Sequence, residues 1–579
     1  DIDNFLMSFY TYYIVNDDSP VNIINEENSL KNELRSWFLT YSPSVQCCRK
    51  LLNILLKQNI SVPKSVGGLL GRNLNYCIRT VSPGQYVHIG IITQLNKITE
   101  EIQLEGIDEI ALDIGIDGLP LFKSSTVGLW PILGRVTNMK KKYVFLIGTY
   151  VGKQKPHVVE SYLHDLVNEV SNLEQFGFVY DHIKIDFKIR AFICDAPARS
   201  FICCIKGHTS FTGCSKCQQV GTRIERVTTF RSEVGPLRSD LSFTRRTDEN
   251  FHQASHISMV HCLEEIGIKM ITQFPLDAMH VVDLGVMKKM LVFLLNGKSI
   301  VKLTKQKKIE FSTCLTSLAP CIPKDFARKP RSCDEILRWK AIEFRQFLLY
   351  TGLIILKDFV PDEVYYHFLL LHCSYRILLS PTHSNLFMSS ANEMLNYFVQ
   401  TFSNIYGDSS LTYNVHSLLH LADCVQSFGP LDSFTAYDFE NFMKTLKKTV
   451  KKPQFVKAPI FSLKQLHGFK KNKNGSVKLY TNMAFFSPIF PNNYCFITPY
   501  HPVIITDILE NDLFKGKKIL NFNNFFTEPV QSLELGIALF DPNICSDEEV
   551  FEVKSIFSKL VFLPYKNKGI LIPLLHSWQ

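Results

Sequence analysis

The chain has 579 residues, with 63 Lys and Arg against 54 Asp and Glu, and 46% of its residues are hydrophobic and 20% charged. This composition is typical of globular proteins and excludes a chain that is disordered throughout, and the length allows about three to four domains. No apolar run approaches the roughly 20 residues that a membrane-spanning helix needs, so we expect no contact with a membrane. The 16 cysteines are scattered and form one CxxC pair, which favours a reducing compartment over a disulfide framework. The acidic start lacks the basic region of a signal peptide, and because it begins at Asp1 rather than Met we expect a further segment before it.

The predicted elements begin with helices and change to strands after residue 100. Residues 1–100 are expected to be an N-terminal helical region, with helical apolar spacing at 32–39 and 45–56. Alternation and apolar spacing then predict three antiparallel strands at 107–117, 129–136 and 142–151, an amphipathic helix at 158–176, a strand at 183–194 and a short helix at 198–205. This β-β-β-α-β-α order is that of the ribonuclease-H-like fold, although many α/β folds contain parts of it.

The second half of the chain is predicted to be mainly helical and to end in strands. A polar stretch with one possible strand at 224–230 precedes residues 251–405, which are rich in Leu, Met and Phe at helical spacing. Residues 411–452 are helical again, and short alternating runs such as 494–505 and 559–564 predict strands. We therefore expect an α+β protein with these domains: 1–100, the N-terminal helical region; 101–234, the first part of a ribonuclease-H-like core; 235–405, an all-helical insertion; 406–455, the final helices of the core; and 456–579, a basic linker with a small C-terminal β-rich domain.

Two aspartates stand at the ends of the first and fourth predicted strands. Asp117 follows the first strand in GIDG, and Asp195 follows the fourth in CDAP. In a sheet of this order the two strands are neighbours, so the carboxylates would repel each other unless a divalent cation, Mg²⁺ or Mn²⁺, lay between them. Asp-Gly and Asp-Ala-Pro are also common turn formers, and taken singly each aspartate is explained by that role as well.

A basic stretch with a single acid lies near residue 440. Between positions 440 and 480 there are eleven Lys and one acid, Glu440, so this stretch carries the positive excess of the whole chain. Glu440 begins a predicted helix, and the lysines on and just after that helix are Lys444, Lys447, Lys448, Lys451 and Lys452. Such a stripe suits a polyanion ligand, but a solvated helix face with Glu–Lys pairs explains it equally well.

Four further residues have the types and spacing of a zinc site. Cys214 and Cys217 form the CxxC pair in GCSKC, and His416 and His420 stand four residues apart on a predicted helix in VHSLLHL. Two Cys and two His could complete a tetrahedral Zn²⁺ site with no open position, which would be structural. His208, in KGHTSF, is a rival ligand, and the alternative is a CxxC without metal together with two buried histidines.

An Asp–His pair completes the set of candidate residues. Asp277 and His280 are three residues apart on a predicted helix in FPLDAMHVVDLGV. A buried, mutually satisfied pair explains this spacing slightly better than a functional site does, when the pair is considered by itself.

In their order along the chain these motifs resemble those of DDE transposases of the CACTA/Mirage/Chapaev group. The matching motifs are Asp117-Gly with Trp130-Pro131, Asp195-Ala-Pro-Ala with Lys206-Gly and the CxxC pair, Asp277-Ala-Met-His280, His416 to His420 with Gly429-Pro430, and Phe439-Glu440-Asn-Phe. The resemblance covers about residues 30–455. Asn-Phe follows the Glu where plant members have Arg-Tyr, which indicates an animal-type branch. The arrangement is also distantly similar to the catalytic core of the RAG recombinase.

The resemblance implies a fold, a reaction and a set of partners. The fold is a ribonuclease-H-like core interrupted by an all-helical insertion, and the reaction is strand cleavage and strand transfer at transposon ends in the nucleus. Asp117, Asp195 and Glu440 would hold two Mg²⁺ (or Mn²⁺) ions, with Asp277 and His280 near the active site. One structural Zn²⁺, double-stranded DNA in the form of terminal repeats and target, and a homo-oligomeric active form are also implied.

Two other functions compete with an active transposase. One is a domesticated, transposase-derived nuclear DNA-binding protein that has lost catalysis, and the other is a zinc-stabilised helical interaction protein that does not bind DNA. Loss of one acid would have favoured the domesticated protein. All three acids are present, which favours the transposase.

Overall fold

The structure is a computed structural model, and it describes residues 45–69, 78–101, 107–121, 126–139, 143–297, 301–451, 468–471, 477–481, 484–498, 501–509 and 511–575, with a few positions between 30 and 37. It is an α+β protein. The α-helices are α1 Val45–Lys57, α2 Val66–Leu69, α3 Ile91–Glu101, α4 Val159–Phe176, α5 Ala196–Ile202, α6 Asp240–Thr244, α7 Cys262–Glu265, α8 Lys288–Leu295, α9 Lys305–Ser317, α10 Ala341–Gln346, α11 Gly352–Phe359, α12 Asp362–Leu379, α13 Pro381–Tyr406, α14 Tyr413–Ser417, α15 Leu421–Phe428 and α16 Tyr437–Lys451. Wider, π-helical turns at Met279–Met287 and Phe347–Thr351 lead into α8 and α11.

The strands lie in two groups, one before residue 230 and one after residue 467. They are β1 Ile78–Val81, β2 Gly84–His88, β3 Glu109–Ile116, β4 Leu119–Pro120, β5 Gly128–Val136, β6 Tyr143–Gly152, β7 Phe178–Tyr180, β8 Ile183–Ile193, β9 Thr222–Ile224, β10 Val227–Thr229, β11 Gly468–Lys471, β12 Val477–Tyr480, β13 Phe485–Phe486, β14 Tyr494–Thr498, β15 His501–Ile508, β16 Leu513–Ile519, β17 Phe522–Asn524, β18 Ala538–Phe540, β19 Cys545–Glu552, β20 Ser558–Tyr565 and β21 Lys568–Pro573.

The chain forms two compact units, and each unit contains three separate segments. The first unit comprises residues 1–205, 239–275 and 436–462, and the second comprises 206–238, 276–435 and 463–579. Within the described ranges, no helix combines the length and the apolar character that crossing a bilayer requires.

The first unit contains a mixed sheet in the order β1-β2-β6-β5-β3-β8-β7. Strands β3, β5 and β6 pair antiparallel, as predicted, and β8 returns parallel to β3 after helix α4. Every residue of β6 and nearly all of β3 are buried, which is expected of central strands with both faces covered. One face of α4 carries apolar residues at helical spacing, from Val159 to Leu173, and is buried in the same core.

The first hundred residues contain two strands as well as helices, and the prediction of a mostly helical N-terminal region did not include those strands. Helix α1 confirms the prediction at 45–56, whereas the helix predicted at 32–39 lies mostly outside the described residues. Residues 78–88 form a hairpin, β1-β2, that extends the sheet at β6. Their alternating β-branched and aromatic residues around a Ser-Pro-Gly turn favour strands over a helix.

Two short elements differ from their predicted form for local reasons. The helix predicted at 198–205 begins at Ala196, because the Asp195 side chain caps its first turn. The single strand predicted at 224–230 is a hairpin of β9 and β10, in which Glu225 and Arg226 both have positive φ. Two consecutive residues of positive φ make the tight turn that joins short antiparallel strands.

The second unit combines the predicted helices with the C-terminal strands. Helix α12 is buried on almost all sides, and Ser380 with Pro381 ends it and starts α13. The C-terminal strands form a three-stranded and an eight-stranded antiparallel sheet, which confirms a β-rich end. A buried ion pair between Lys559 Nζ and Asp325 Oδ2, 2.5 Å apart, ties these strands to the helical part of the same unit.

Candidate active site and metal centre

The ends of two neighbouring parallel strands place Asp117 and Asp195 level with each other. Gly115 of β3 pairs with Ile193 of β8, and both aspartates follow two residues later, just past the strand ends. Cys194 lies beside both of them: burial, aided by the Asp195 and Asp117 carboxylates and opposed by Arg199, raises the pKa of its thiol to about 12. The strand register therefore places the two aspartates side by side at the same end of the sheet, as the sequence predicted.

Each of these carboxylates also accepts a hydrogen bond from the backbone next to it. The Gly118 N–H donates to Asp117 Oδ1 at 2.6 Å, and the Ala198 N–H donates to Asp195 Oδ1 at 2.7 Å. The local turn-forming role considered from the sequence is thus real, and the Asp195 side chain also caps α5. They do not exclude a metal ligand, because a carboxylate has two oxygens and about four acceptor positions. They fix each side-chain orientation at the strand end.

Helix α16 lies against the same end of this sheet and carries Glu440. A Cβ on Gly115 would come within 2.5 Å of the Phe439 ring, so that ring packs directly on the β3 backbone. Further along the helix, Lys447 Nζ donates a hydrogen bond to the carbonyl of Pro120. The helix therefore contacts the chain both before and after Asp117, and the exposed Glu440 lies between those two contacts along the helix.

A buried charge network holds α16 to the sheet. Arg135 donates to Asp113 Oδ2 at 2.7 Å and to Asp438 Oδ2 at 2.8 Å, and Arg190 donates to both oxygens of Asp113. Burial lowers the pKa of Arg135, but the two carboxylates outweigh burial and raise it, so the guanidinium stays charged. The Arg135 guanidinium also lies over the Phe439 ring, 5.0 Å from its centroid.

Sequence reasoning missed this network, although charged residues inside apolar strands were a signal. Asp113 stands between Leu112 and Ile114, and Arg135 stands between Gly134 and Val136. Buried charges of this kind must be paired. The partner of Arg135 on the α16 side, Asp438, lies 303 residues further along the chain, and no local pattern identifies it.

The lysines of the basic stripe differ in what they contact. Lys444 and Lys448 are exposed on α16, as a phosphate-binding role requires. Lys447 is half-buried and bonded to Pro120, so it has a structural contact that the sequence did not predict. The side chain of Lys451 and all of Lys452 lie outside the described residues.

The four predicted zinc ligands converge in the second unit. All four are buried, and their ligand atoms lie within 4.8 Å of one another. Cys217 Sγ is 3.2 Å from His416 Nε2 and 3.6 Å from Cys214 Sγ, and Cys214 Sγ is 3.7 Å from His420 Nε2. An ideal tetrahedral site, with Zn–S near ~2.3 Å and Zn–N near ~2.1 Å, spaces its ligand atoms about 3.3–3.8 Å apart. The chain thus holds these atoms at nearly the spacing that zinc requires.

The surroundings orient the ligands toward a common centre. His416 donates from Nδ1 to the Arg231 carbonyl at 3.2 Å, so its Nε2 lone pair faces Cys217. A hydrogen bond from Cys214 holds the pKa of the Cys217 thiol well below its usual value, whereas burial raises the pKa of the Cys214 thiol. A thiolate is the form of cysteine that binds metal. Cys217 is therefore in the form that binds metal, and Cys214 would lose its proton when an ion binds.

The structure differs from the predicted zinc site in two details. The histidines are not on one continuous α-helix: His416 is in α14 and His420 ends the 3₁₀ turn Leu418–His420 that precedes α15. The rival ligand, His208, is not among the four converging residues, and its ring lies 5.7 Å from that of Tyr413.

Asp277 and His280 form a close pair at the start of a helix. His280 Nδ1 lies 2.7 Å from Asp277 Oδ2, and Asp277 is buried. The prediction that both residues are on the helix is wrong, because Asp277 precedes it and accepts from the His280 N–H at 3.1 Å. This pair belongs to the second unit, whereas the three acids belong to the first. Its proximity to the acids remains a prediction.

The comparisons with known proteins concern the C-terminal strands. Residues 461–574 match a family described as Domain of unknown function (DUF8592). No curated protein matches the chain. The match begins close to the predicted boundary at residue 456 and covers the β-rich end, so it does not include the acids or the Cys and His cluster.

Proposed function

We propose that the protein is a DDE-type DNA transposase that cleaves and joins DNA strands at transposon ends by two-metal-ion phosphoryl transfer. The observation that carries this proposal is the register that sets Asp117 level with Asp195 beside helix α16. The sheet order β6-β5-β3-β8, with α4 before the parallel strand, supports a ribonuclease-H-like core. The sequence motifs described above agree with this assignment.

The donor set suits divalent magnesium. Two carboxylates at adjacent strand ends, with a third on α16, are oxygen ligands of the kind Mg²⁺ prefers, and without a cation they would repel each other. When bound, Mg²⁺ (or Mn²⁺) would supply Lewis-acid activation of the attacking oxygen and stabilisation of the leaving oxygen. Asp117, Asp195 and Glu440 would hold the ions.

The other residues of the first unit position these ligands and the substrate. The Gly118 and Ala198 N–H groups orient the two aspartates, and the Arg135–Asp438 pair fixes the first turn of α16. The exposed Lys444 and Lys448 would contact DNA phosphates, which position the duplex without reading its sequence. The expected partners are transposon terminal repeats and target DNA, with a homo-oligomer acting in the nucleus.

The zinc site would be structural. Cys214, Cys217, His416 and His420 would fill a tetrahedral coordination shell and leave no position for a reacting water. In the second unit these ligands join the segment that follows α5 in sequence to α14 and the turn after it, about 200 residues later. A bound ion would thus stabilise a contact between distant parts of the chain.

A strand-cleavage assay tests the catalytic assignment. Full-length protein is incubated with Mg²⁺ and DNA carrying the terminal repeats that flank the source locus, and nicked products are measured. Asp195→Asn should abolish nicking and leave folding and DNA affinity nearly unchanged. Asp186→Asn is the matched control, because Asp186 is an exposed acid on the same strand, β8.

The same assay separates the alternatives. Nicking by Asp195→Asn at the wild-type rate would contradict the mechanism. DNA binding without nicking by the wild-type protein would favour the domesticated, non-catalytic DNA-binding protein. If the wild-type protein neither binds nor nicks the DNA, the result would favour a zinc-stabilised interaction protein.

A further inference from the structure

A second group of metal-ligand side chains lies in the first unit, away from the strand ends that carry the two aspartates. It consists of Glu160 in the first turn of α4, Cys204 two residues after the end of α5, and His261 immediately before α7. One ligand atom of each lies within 4.8 Å of the others. We propose that these three residues bind a second Zn²⁺ ion.

The burial of the cluster suits a metal rather than a solvated group of polar residues. Cys204 is 2% exposed and His261 is 1% exposed, whereas the Glu160 side chain is 31% exposed. Two ligands are therefore fixed in the interior, and the carboxylate lies at the surface, where an ion can enter. His256 donates from Nε2 to Glu160 Oε1 at 2.9 Å, as outer partners of metal-binding carboxylates commonly do.

An independent observation comes from the imidazole of His261. Its Nε2 is buried and has no hydrogen-bond partner of acceptable geometry among the described residues. The other ring nitrogen, Nδ1, accepts a backbone hydrogen bond, which requires a neutral ring. A neutral imidazole with an unsatisfied buried nitrogen beside a thiol and a carboxylate is suited to bind a metal ion.

Binding through Nε2 requires a change at the other ring nitrogen. Nδ1 accepts a hydrogen bond from the Leu263 N–H at 3.1 Å, which places the ring proton on Nε2. When Nε2 binds the ion, the proton moves to Nδ1, where Cys262 Sγ, 4.0 Å away, is an acceptor. The Cys204 thiol loses its proton to solvent as the Zn–S bond forms. The Leu263 N–H loses its side-chain acceptor in this step, and ligation of the ion by three residues must outweigh that loss.

The ligand types identify the ion. Thiolate, imidazole and carboxylate together are typical of Zn²⁺, whereas Mg²⁺ and Ca²⁺ prefer oxygen ligands alone. Three protein ligands leave a fourth position for water on the exposed side of Glu160. The ion would link α4, the end of α5 and the segment before α7, so it would fix the end of α5 opposite to the residue Asp195 that caps it.

The test is the zinc content of the purified full-length chain after exposure to excess Zn²⁺ and removal of unbound metal. We expect two zinc ions per chain, one in Cys204→Ser, and one in Cys217→Ser, which removes the other site. Cys203→Ser is the matched control, since Cys203 is an adjacent buried cysteine outside the cluster, and it should retain two.

A second variant guards against misfolding of Cys204→Ser. Glu160→Gln keeps the shape of a partly exposed side chain and can still accept a bond from His256, so it should fold normally and weaken zinc binding at this site. Loading with Co²⁺ should give thiolate-to-cobalt charge-transfer absorption in Cys217→Ser that is lost when Cys204→Ser is added. A wild-type chain with a single zinc, or two zinc ions in both Cys204→Ser and Glu160→Gln, would overturn the proposal. The readout is metal content, so the result is independent of the proposed catalytic function.

Discussion

Arg135 connects the buried sheet to the helix that bears Glu440, and its replacement tests how α16 is held. The Arg135 side chain is 2% exposed, and it bonds to Asp113, which is fully buried, and to Asp438, which is 12% exposed. Arg135→Met removes both charge-assisted bonds while keeping much of the side-chain volume. Asp113 retains Arg190, whereas Asp438 loses its guanidinium partner.

The expected cost follows from these two bonds. A hydrogen bond to a charged group contributes about 1.5–3 kcal/mol, and breaking a buried ion pair from one side costs about 3–5 kcal/mol. Because Arg190 still neutralises Asp113, we expect Arg135→Met to lower the free energy of unfolding by about 3–4 kcal/mol. Arg135→Lys keeps the charge but cannot reach both carboxylates with one forked group, so it should cost about 1–2 kcal/mol.

Arg190 supplies the matched comparison, because it donates to both oxygens of the same Asp113. Its side chain is 21% exposed, so we expect Arg190→Met to cost about 1–2 kcal/mol. Urea unfolding of the full-length variants measures these differences. A double-mutant cycle of Arg135→Met with Asp438→Asn then isolates the coupling across the sheet and helix.

Catalysis gives a second measurement on the same variants. If Arg135 positions the Glu440 helix, Arg135→Met should reduce Mg²⁺-dependent nicking far more than Arg190→Met does at temperatures where both are folded. A displacement of a catalytic group by about 1 Å can cost on the order of 100-fold in rate. Equal stability of the two variants, with a coupling energy near zero between Arg135 and Asp438, would refute the view that this pair anchors α16.

Three further predictions concern other parts of the chain. Cys217→Ser should remove zinc from the Cys₂His₂ site and lower the melting temperature, whereas serine at the exposed Cys314 should change neither; an unchanged zinc content would contradict the site. Replacing Lys444 and Lys448 by Gln should weaken DNA binding and reduce the slope of log affinity against log salt by up to ~2. The control is a variant that replaces two exposed lysines of α9. An equal slope in the two variants would argue against phosphate contacts by Lys444 and Lys448. Burial lowers the pKa of His367 to about 4, below its ordinary value, so the unfolded chain takes up the proton first as pH falls. The stability that depends on neutral His367 should be complete above about pH 6.5 and should be lost as pH falls toward 4, by roughly 3 kcal/mol in all, and His367→Gln should flatten this dependence in pH-dependent urea unfolding.

The site residues that belong to short local motifs could be predicted from the sequence. Asp117 and Asp195 follow alternating strands whose order makes them neighbours, and the observed register places them level. Cys214, Cys217, His416 and His420 have spacings that zinc sites use, and the structure brings all four together. In each case a short motif specifies the side-chain direction, and only the pairing of two distant motifs had to be inferred.

Residues whose partners are distant in the sequence could not be predicted. Asp438 lies two residues before the predicted site residue Glu440, but nothing local shows that its partner is Arg135. The cluster of Glu160, Cys204 and His261 joins three segments whose spacing matches no metal-binding motif. The β1-β2 hairpin at residues 78–88 was not predicted, because the helical spacing of earlier segments such as 45–56 was taken to describe the whole N-terminal region.

The segmented first unit has a consequence for the order of events during synthesis. Roughly 240 residues separate Asp195 from Glu440, and at about 5–20 residues per second a ribosome needs roughly 12–50 s to make them. During that interval the nascent sheet lacks helix α16, yet Asp113 already has two guanidinium partners, Arg135 and Arg190, both encoded before Asp195. The buried Asp113 carboxylate is therefore neutralised before the helix arrives. The late helix then brings Asp438 to the Arg135 guanidinium, which Asp113 already holds in position.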